Sequence, residues 1–515
     1  MKRVVLDGGV LPLEQVRQVA RGEARVSLGA RAVRLMRDSR AVVEAALSAG
    51  VPSYGVNTGF GHLADVRIPP DRLDQLQYNL LRSHAAGVGP PLSPEQTRAV
   101  MLLRAHALAR GRSGVRPELV RGLIRMLNAG VLPRIPRQGS VGASGDLAPL
   151  AHLALALVGE GEVLRNGRFV AARAALRASG LRPLRLEAKE GLSLINGTQF
   201  STALATLALL EAEGLLIVSD IAGAMSVEAL KGSAGPFDER IHRARPHPGQ
   251  LASAANMRAL LSGSEIIASH RDCDRIQDSY ALRCVPQVHG VARGAALHVR
   301  EILEVEVNSS TDNPLVFAPR RGARGSGIMI SGGNFHGQPV ASALDYLALA
   351  IASLASISER RVERLVNPQL SGLPAFLAQD AGLNSGLMLA QVTAAALTSE
   401  NKVLSHPASV DSIPTSANRE DHVSMAPIAA RKAAQVIVNT RRVLAIEILA
   451  AAQALDFLKP LRPAPAIEKV HRKIRRRVSF MRTDRVLAPD IAAVEEMILS
   501  GELRAAAESA AGPLA

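Results

Sequence analysis

Apolar residues recur with helical spacing over long stretches in the second part of the chain. Such segments lie near 203–231, 284–306, 339–365, 385–404 and 427–457. Residues 1–202 differ, because short helical patterns there alternate with loops rich in Gly and Pro. A period of 3.6 residues is typical of helices that bury one apolar face. The pattern predicts a mainly α protein, with a multi-helix bundle of long central helices in 203–515 after a smaller, loop-rich N-terminal domain in 1–202.

The longest apolar run, residues 202–231, has the length of a membrane span but contains four acidic residues. Because acids are rare inside a membrane-spanning helix, we expect a helix buried in the bundle. The N-terminus has no apolar stretch of signal-peptide length. Cys273 and Cys284 form neither a disulfide framework nor a CxxC metal pair. The sequence predicts a cytoplasmic protein without a membrane anchor.

The net charge of +15 and the pI of about 10.6 raise the question of a nucleic-acid partner. The densest basic run is residues 469–482, "KVHRKIRRRVSFMR", and no zinc-finger spacing or RNA-binding aromatic motif accompanies it. We therefore interpret the run as a solvated basic helix face and expect no nucleic-acid partner. The thirteen His show no HExxH motif or clustered ligand spacing, so no metal site is predicted.

A run of small residues, Ala143-Ser144-Gly145, lies directly before an apolar stretch that has helical character. A phosphate loop needs a Lys after its last Gly and a nucleophile elbow needs GxSxG, so neither fits. Asp146 is placed to cap the following helix. A backbone cyclisation would use the small residues themselves, because the Gly145 nitrogen is free of side-chain obstruction and the Ser144 hydroxyl can leave as water. From the residues alone, both interpretations stay open.

The sequence around the tripeptide, "GSVGASGDLAPLAH" (139–152), resembles the signature of the aromatic amino acid ammonia-lyases. The resemblance covers nearly the whole chain, in separate blocks from "YGVNTGFG" (54–61) to "SANREDHVSM" (416–425). It implies the helical ammonia-lyase or fumarase–aspartase-like fold. It also implies that Ala143-Ser144-Gly145 forms 4-methylidene-imidazol-5-one, an electrophilic prosthetic group, autocatalytically and without an external cofactor. The family is tetrameric, so the resemblance further implies a homotetramer with active sites shared between subunits.

Two positions bear on the substrate ring. Ser83-His84 matches the Ser-His of the family's histidine enzymes, whereas tyrosine enzymes tend to have His-Leu and phenylalanine enzymes Phe-Leu there. Glu420 in "NREDHVSM" matches "NQEDHVSM" of the histidine enzymes, with Arg419 in place of the usual Gln. A His and a carboxylate suit a polar, protonatable ring better than a phenyl ring. Arg419 is placed either to pair with Glu420 or to shift it, and Glu420 itself has the position of a helix first turn.

The resemblance therefore implies the non-oxidative deamination of L-histidine to trans-urocanate and ammonia. Ammonia-lyase activity on tyrosine or phenylalanine and 2,3-aminomutase activity stay open within the family, although His84 and Glu420 speak against them. The alternative from another class is a basic nucleic-acid-binding or scaffold protein without activity, against which the intact tripeptide and Tyr54 argue.

Other blocks resemble the family's active-site residues. Tyr54 resembles the base that takes the poorly acidic β-proton. Asn196 in "EGLSLINGTQ" resembles the residue that holds substrate and prosthetic group, although Asn-Gly alone also favours a turn. Phe335 in "SGGNFHGQP" resembles a ring near the methylidene carbon.

Three further candidates lie in "IQDSYALRCVPQ", where Gln277, Tyr280 and Arg283 are spaced three apart. This spacing predicts that they share one helical face. The resemblance implies that Arg283 clamps the substrate carboxylate, that Tyr280 belongs to the catalytic set, and that Gln277 contacts the prosthetic group. An ordinary polar helix stripe would have the same spacing.

Overall fold

The protein, as a computed structural model, is described at residues 2–50, 52–271, 273, 276–319 and 327–515. Its backbone is largely helical, which confirms the predicted mainly α fold. The chain divides into two compact units: the first holds 1–210, 300–345 and 407–431, and the second holds 211–299, 346–406 and 432–515. Each compact unit is made of three separate segments of the chain, so these units do not correspond to a single cut in the sequence. The predicted domain boundary at residue 202 stays a prediction.

The long apolar segments form helices close to their predicted limits. They are Gln199–Ala229, Val285–Val307, Gln338–Val366, Met388–Leu404 and Ala426–Asp456. Among the described residues, Gln199–Ala229 and Gln338–Val366 are long and apolar enough to cross a membrane. Of their most apolar windows, 78% and 67% are buried inside the structure, as in the core helices of a globular protein.

The first unit combines shorter helices with small sheets. Its helices are Leu13–Ala20, Ala30–Ser48, Leu73–His84, Pro94–Ala109, Pro117–Asn128, Leu147–Leu157, Ala172–Ala178 and Glu190–Ile195. Strands Lys2–Leu6 and Ala24–Leu28 pair in parallel, with Lys2 opposite Ala24. The antiparallel sheets are Val88–Pro91 with Pro136–Gln138, Leu315–Phe317 with Ile328–Ile330, and Leu132–Pro133 with Glu162–Arg165 and Arg168–Ala171.

A packed cluster in the first unit supports the segments that carry chemistry. It consists of Val42, Val43, Val56, Ala188 and Val316. Val56 follows Tyr54 by two residues, and Ala188 comes just before helix Glu190–Ile195, which ends next to Asn196. Burial of each of the four valine side chains stabilises the fold by roughly 1.5–3 kcal/mol, so these loops are anchored to a common core.

The second unit is almost entirely helical. Besides the long helices it contains Glu239–Arg243, Pro248–Leu261, Glu265–Ala268, Tyr280–Arg283, Pro368–Ser371, Pro465–Arg475, Ala488–Leu499 and Glu502–Ala511. The buried Glu447 ties three long helices together. Its carboxylate accepts hydrogen bonds from Ser226 at 2.7 Å and from Ser358 at 2.6 Å. It also accepts from Nε and Nη2 of the Arg361 guanidinium, at 2.5 and 2.8 Å.

The basic run 469–482 lies on helix Pro465–Arg475 and the segment after it. Lys473 pairs with Glu502 at 3.0 Å, and Arg475 pairs with Asp456 at 2.7 Å. Val470 and Ile474 on the same helix are buried. The helical part of the run is therefore amphipathic, and its charges are partly neutralised by neighbouring acids.

Candidate active site

The tripeptide loop is held against a second glycine turn. Gly145 has a φ of +74° and forms an isolated parallel bridge with Gly197. The Asp146 N–H donates to the Gly197 carbonyl at 2.7 Å. A Cβ on Gly145 would lie 2.3 Å from the Gly197 oxygen, so only glycine fits there. Ala143 is buried and Ser144 is half-buried. The loop thus has the small residues, the tight turn and the accessible hydroxyl that the predicted cyclisation needs.

A cavity of about 690 Å³ opens in front of this loop, within the first unit. It brings together most of the candidates predicted from the sequence. The predicted residues that line it are Tyr54, His84, Ala143, Ser144, Asn196, Phe335 and Glu420. These residues come from six separate stretches of the sequence, so their convergence is a property of the fold.

Glu420 lies opposite Ser144. The Ser144 hydroxyl donates to Glu420 Oε1 at 3.0 Å, while the hydroxyls of Thr415 and Ser416 each donate to Oε2 at 2.8 Å. The expected helix first turn at Glu420 was wrong, because the helix begins only at Ala426. Glu420 instead closes a turn in which its backbone pairs with Thr415.

Tyr54 and His84 lie on the walls of the same cavity. The Tyr54 oxygen accepts the Gly61 N–H at 3.2 Å, and its ring meets Phe60 edge to face. His84 Nδ1 lies 2.9 Å from the Leu80 carbonyl. Burial lowers the pKa of His84, while the Leu80 carbonyl and the charge of Glu420 oppose that shift. Near neutral pH the imidazole is therefore uncharged, with Nδ1 turned towards the helix and Nε2 left for a ligand.

Asn196 is fixed by a buried charged cluster. Its amide nitrogen donates to Asp312 at 3.2 Å and to the Asn313 carbonyl at 3.1 Å, while Arg104 donates to its backbone carbonyl at 2.6 Å. Lys189 in turn pairs with Asp312 at 3.1 Å. Burial lowers the pKa of Arg104 to about 10, which leaves it charged. The side-chain oxygen of Asn196 is buried with no hydrogen-bond partner among the described residues, so it is available to a bound group.

Asp146 caps a different helix from the predicted one. It precedes helix Leu147–Leu157 without a side-chain capping bond. Its carboxylate instead accepts the Ser201 N–H and the Ser201 hydroxyl, both at 2.8 Å, in the first turn of helix Gln199–Ala229. Burial raises the pKa of Asp146 to about 7. The residue therefore fastens the end of the tripeptide loop to the helix that follows Gly197.

Gln277, Tyr280 and Arg283 lie in the second unit and are not among the residues that line this cavity. The single helical face predicted for them was wrong. Gln277 is in irregular backbone, and the helix Tyr280–Arg283 is one turn long. The Arg283 guanidinium stacks over the Tyr280 ring at 4.8 Å. Gln277 and Arg283 line a second cavity of about 580 Å³.

The predicted pairing of Arg419 with Glu420 was also wrong. Arg419 points to Asp65, with 3.8 Å between the closest charged atoms, and both side chains are largely exposed. Such an exposed, long ion pair contributes at most about 1 kcal/mol. Glu420 is held by hydroxyl groups instead.

Sequence reasoning missed the residues that support the site. Arg104 is the one Arg, Lys, Asp or Glu within the buried stretch 99–109 of helix Pro94–Ala109, a pattern that indicates a buried functional or structural partner. Thr415 directly precedes the recognised block 416–425 and Ser416 opens it, and no periodicity distinguishes them from other loop hydroxyls. Lys189 and Asp312 are likewise ordinary polar residues until the fold brings them together.

Residues 11–476 match the family model for aromatic amino acid lyases. The chain is 57% identical over 514 residues to a histidine ammonia-lyase of Sorangium cellulosum, covering 99% of this chain and 100% of that relative. It is similar to the crystal structure of histidine ammonia-lyase from Trypanosoma cruzi, with 45% identity, a TM-score of 0.90, and 98% and 95% of the two chains covered. It is also similar to tyrosine aminomutase from Streptomyces globisporus, with 39% identity, a TM-score of 0.93 and both chains covered completely.

The fold and these likenesses define a carbon–nitrogen lyase. The chain belongs to the aromatic amino acid lyase family, which confirms the predicted family and its helical lyase fold. This family is known for a self-formed 4-methylidene-imidazol-5-one group.

Proposed function

We propose that this protein removes ammonia from L-histidine and releases trans-urocanate. The observation that carries the proposal is the convergence of Ser144, Tyr54, His84 and Glu420 on one cavity. Full-length relatives that bear the name histidine ammonia-lyase support the same substrate. A neutral imidazole at His84 and a carboxylate at Glu420 complement the two nitrogens of a substrate imidazole ring.

Ala143-Ser144-Gly145 is proposed to form the prosthetic group in this chain. The Gly145 nitrogen joins the Ala143 carbonyl carbon, and two molecules of water leave, one of them containing the Ser144 hydroxyl oxygen. The glycine-only backbone at Gly145 and the half-buried Ser144, which lines the cavity, support this assignment. When formed, the group supplies an electrophilic carbon that makes the substrate's amino group easier to expel. The N-terminus of helix Leu147–Leu157 lies directly after the loop and favours negative charge on it.

The side chains of the cavity then act on the substrate. Glu420 and His84 orient the imidazole ring, and Phe335 packs beside the reacting carbon. Tyr54 takes the β-proton, with the Gly61 N–H directed at its oxygen. Asn196, fixed by Asp312 and Arg104, directs its free side-chain oxygen towards the substrate amine or the prosthetic group.

Gln277, Tyr280 and Arg283 are proposed to act in trans. In a homotetramer with shared active sites they would complete the cavity of another subunit, where the Arg283 fork binds the substrate carboxylate. We place this tetramer in the cytoplasm, consistent with the two unpaired cysteines.

The first test is an ultraviolet assay of purified protein with L-histidine, L-tyrosine and L-phenylalanine in parallel. We expect a conjugated acrylate to form from histidine alone. A product from tyrosine or phenylalanine would overturn the assignment of His84 and Glu420, while β-amino acid products would indicate an aminomutase. If no ammonia is released from any of them, the lyase proposal fails.

Ser144→Ala tests the prosthetic group directly. We expect folded protein of unchanged oligomeric state, with activity reduced by several orders of magnitude because the electrophile is missing. Mass spectrometry of the tripeptide-containing fragment should show the loss of two waters in the parent protein and none in the variant. Ser48→Ala is the control, since that hydroxyl is exposed and bonds only the Glu44 carbonyl among the described residues. Near-normal turnover by Ser144→Ala would contradict the proposal.

A further inference from the structure

The carboxylate of Glu420 accepts hydrogen bonds from three hydroxyl groups, of which one is lost when the prosthetic group forms. Thr415 and Ser416 donate to Oε2, each at 2.8 Å, and Ser144 donates to Oε1 at 3.0 Å. The Ser144 hydroxyl leaves as water when the prosthetic group forms, whereas the other two remain. Formation of the group therefore releases Oε1 while Oε2 stays bound.

The loop that presents Thr415 and Ser416 has an uncommon backbone. Ser416, Ala417 and Asn418 have consecutive φ values of +51°, +53° and +64°. Positive φ is disfavoured for residues other than glycine, because the Cβ then crowds the main chain. The turn is closed by two backbone hydrogen bonds between Thr415 and Glu420, at 2.9 and 3.3 Å. Thr415 thus holds Glu420 through both its backbone and its side chain, and Ser416 holds the side chain.

We propose that Thr415 and Ser416 are positioning residues for ring recognition. They anchor Oε2 of Glu420 so that Oε1, once freed from Ser144, points into the cavity and accepts an N–H of the substrate ring. This inference rests on the proposed function, because it takes the ring to be the imidazole of histidine. The specificity of the site then depends on the Glu420 carboxylate and on the two hydroxyl groups that orient it. The sequence indicates only the carboxylate.

The test measures binding in protein that cannot turn over. In a Ser144→Ala background Oε1 lacks its hydroxyl partner, so L-histidine affinity is measured by calorimetry without reaction. Adding Thr415→Val removes the hydroxyl with little change of shape, and we expect affinity to fall about tenfold, as for a lost hydrogen bond to a charged group. Thr415→Ser keeps the hydroxyl and should bind within about twofold of the Ser144→Ala protein. Ser416→Ala should behave like Thr415→Val.

A double-mutant cycle separates positioning from a general structural effect. If Thr415 acts through the carboxylate, Thr415→Val should change affinity by less than about twofold once Glu420→Gln is also present. An equal loss with and without Glu420→Gln would overturn the proposal, as would unchanged binding in the Thr415→Val variant. Thermal unfolding of each variant identifies loss of the fold.

Failure of the proposed function gives a different result. If the parent protein deaminates tyrosine and not histidine, the proposed substrate is wrong, and the inference falls with it. If the parent is active on histidine but Thr415→Val binds normally, only the positioning role is overturned.

Discussion

Single buried acids make the stability of this protein depend on pH. Glu228 in the second unit is fully buried, and its carboxylate accepts the Ala464 N–H at 2.7 Å. Its other oxygen has no hydrogen-bond partner among the described residues. Burial raises the pKa of Glu228 from its ordinary 4.5 to about 7, with the Ser264 and Ala464 hydrogen bonds opposing the shift. The native state therefore holds this proton more tightly than the unfolded state does.

Glu228→Gln should stabilise the protein at high pH. The stability that proton binding to Glu228 provides is full below pH 4.5 and is lost as the pH rises through 7. The neutral amide escapes this loss, so the difference in unfolding free energy should grow between pH 5 and pH 8 towards an upper limit of about 3 kcal/mol. Thermal unfolding across that range measures it. A difference that is constant with pH would show that Glu228 does not titrate there.

The sequence motifs identify the reacting side chains but not the residues that hold those side chains in position. Ser144, Tyr54, His84 and Glu420 are recognisable from short sequence blocks, and the structure brings all four to one cavity. Their assigned roles stay predictions. The hydroxyl of Thr415 could not be identified from sequence, because its partner depends on a turn with three left-handed residues that local propensity disfavours.

Among the elements, the N-terminus of helix Gln199–Ala229 is stabilised by Asp146 from a distant part of the chain. Ser201→Ala removes one of the two donors to this carboxylate. We expect a loss of about 1 kcal/mol, typical of one buried hydrogen bond. Chemical denaturation measures the loss. Ser309→Ala, whose hydroxyl bonds the backbone carbonyl of Val305, is the control, and an equal effect of both variants would contradict the capping role.

Helix limits were predictable where apolar periodicity is long and failed where it is short. Gln199–Ala229 and Ala426–Asp456 lie within a few residues of their predicted limits, because tens of apolar side chains set the pattern. The segment at Gln277 followed helical spacing but is not helical. Asp278 there accepts the Ser233 N–H at 2.6 Å, and that tertiary bond holds an irregular backbone before Tyr280.

For the whole molecule, we expect four chains in solution. Helix Met388–Leu404 exposes Leu389, Val392 and Val403 along one side, with 59%, 49% and 72% of each residue's surface accessible. An apolar stripe of this kind is typical of a surface covered by another protein. Analytical ultracentrifugation should give four times the 54.3 kDa of one chain.

Charged substitutions test which surface holds the assembly together. Leu389→Lys combined with Val403→Lys should lower the assembled mass and, with it, the activity that depends on shared sites. Val10→Lys is the matched control, since Val10 is an exposed apolar residue of the first unit. Unchanged assembly of the double variant would show that this stripe is not a subunit contact.

The close approach of Gly145 to Gly197 also restricts how this lineage can evolve. A Cβ on Gly145 would meet the Gly197 carbonyl, and a Cβ on Gly197 would lie 2.8 Å from the Thr311 carbonyl. A Cβ on Gly197 would also lie 2.5 Å from the Gln199 side-chain oxygen. A mutation can remove that side chain, but no mutation elsewhere can remove the two main-chain carbonyls. Wall positions such as His84 differ, because they contribute to the cavity through the side chain itself and remain open to substitution. Substitutions of the side chains that line the cavity can therefore change the substrate. Gly145 and Gly197 stay fixed, whichever ring the descendant proteins bind.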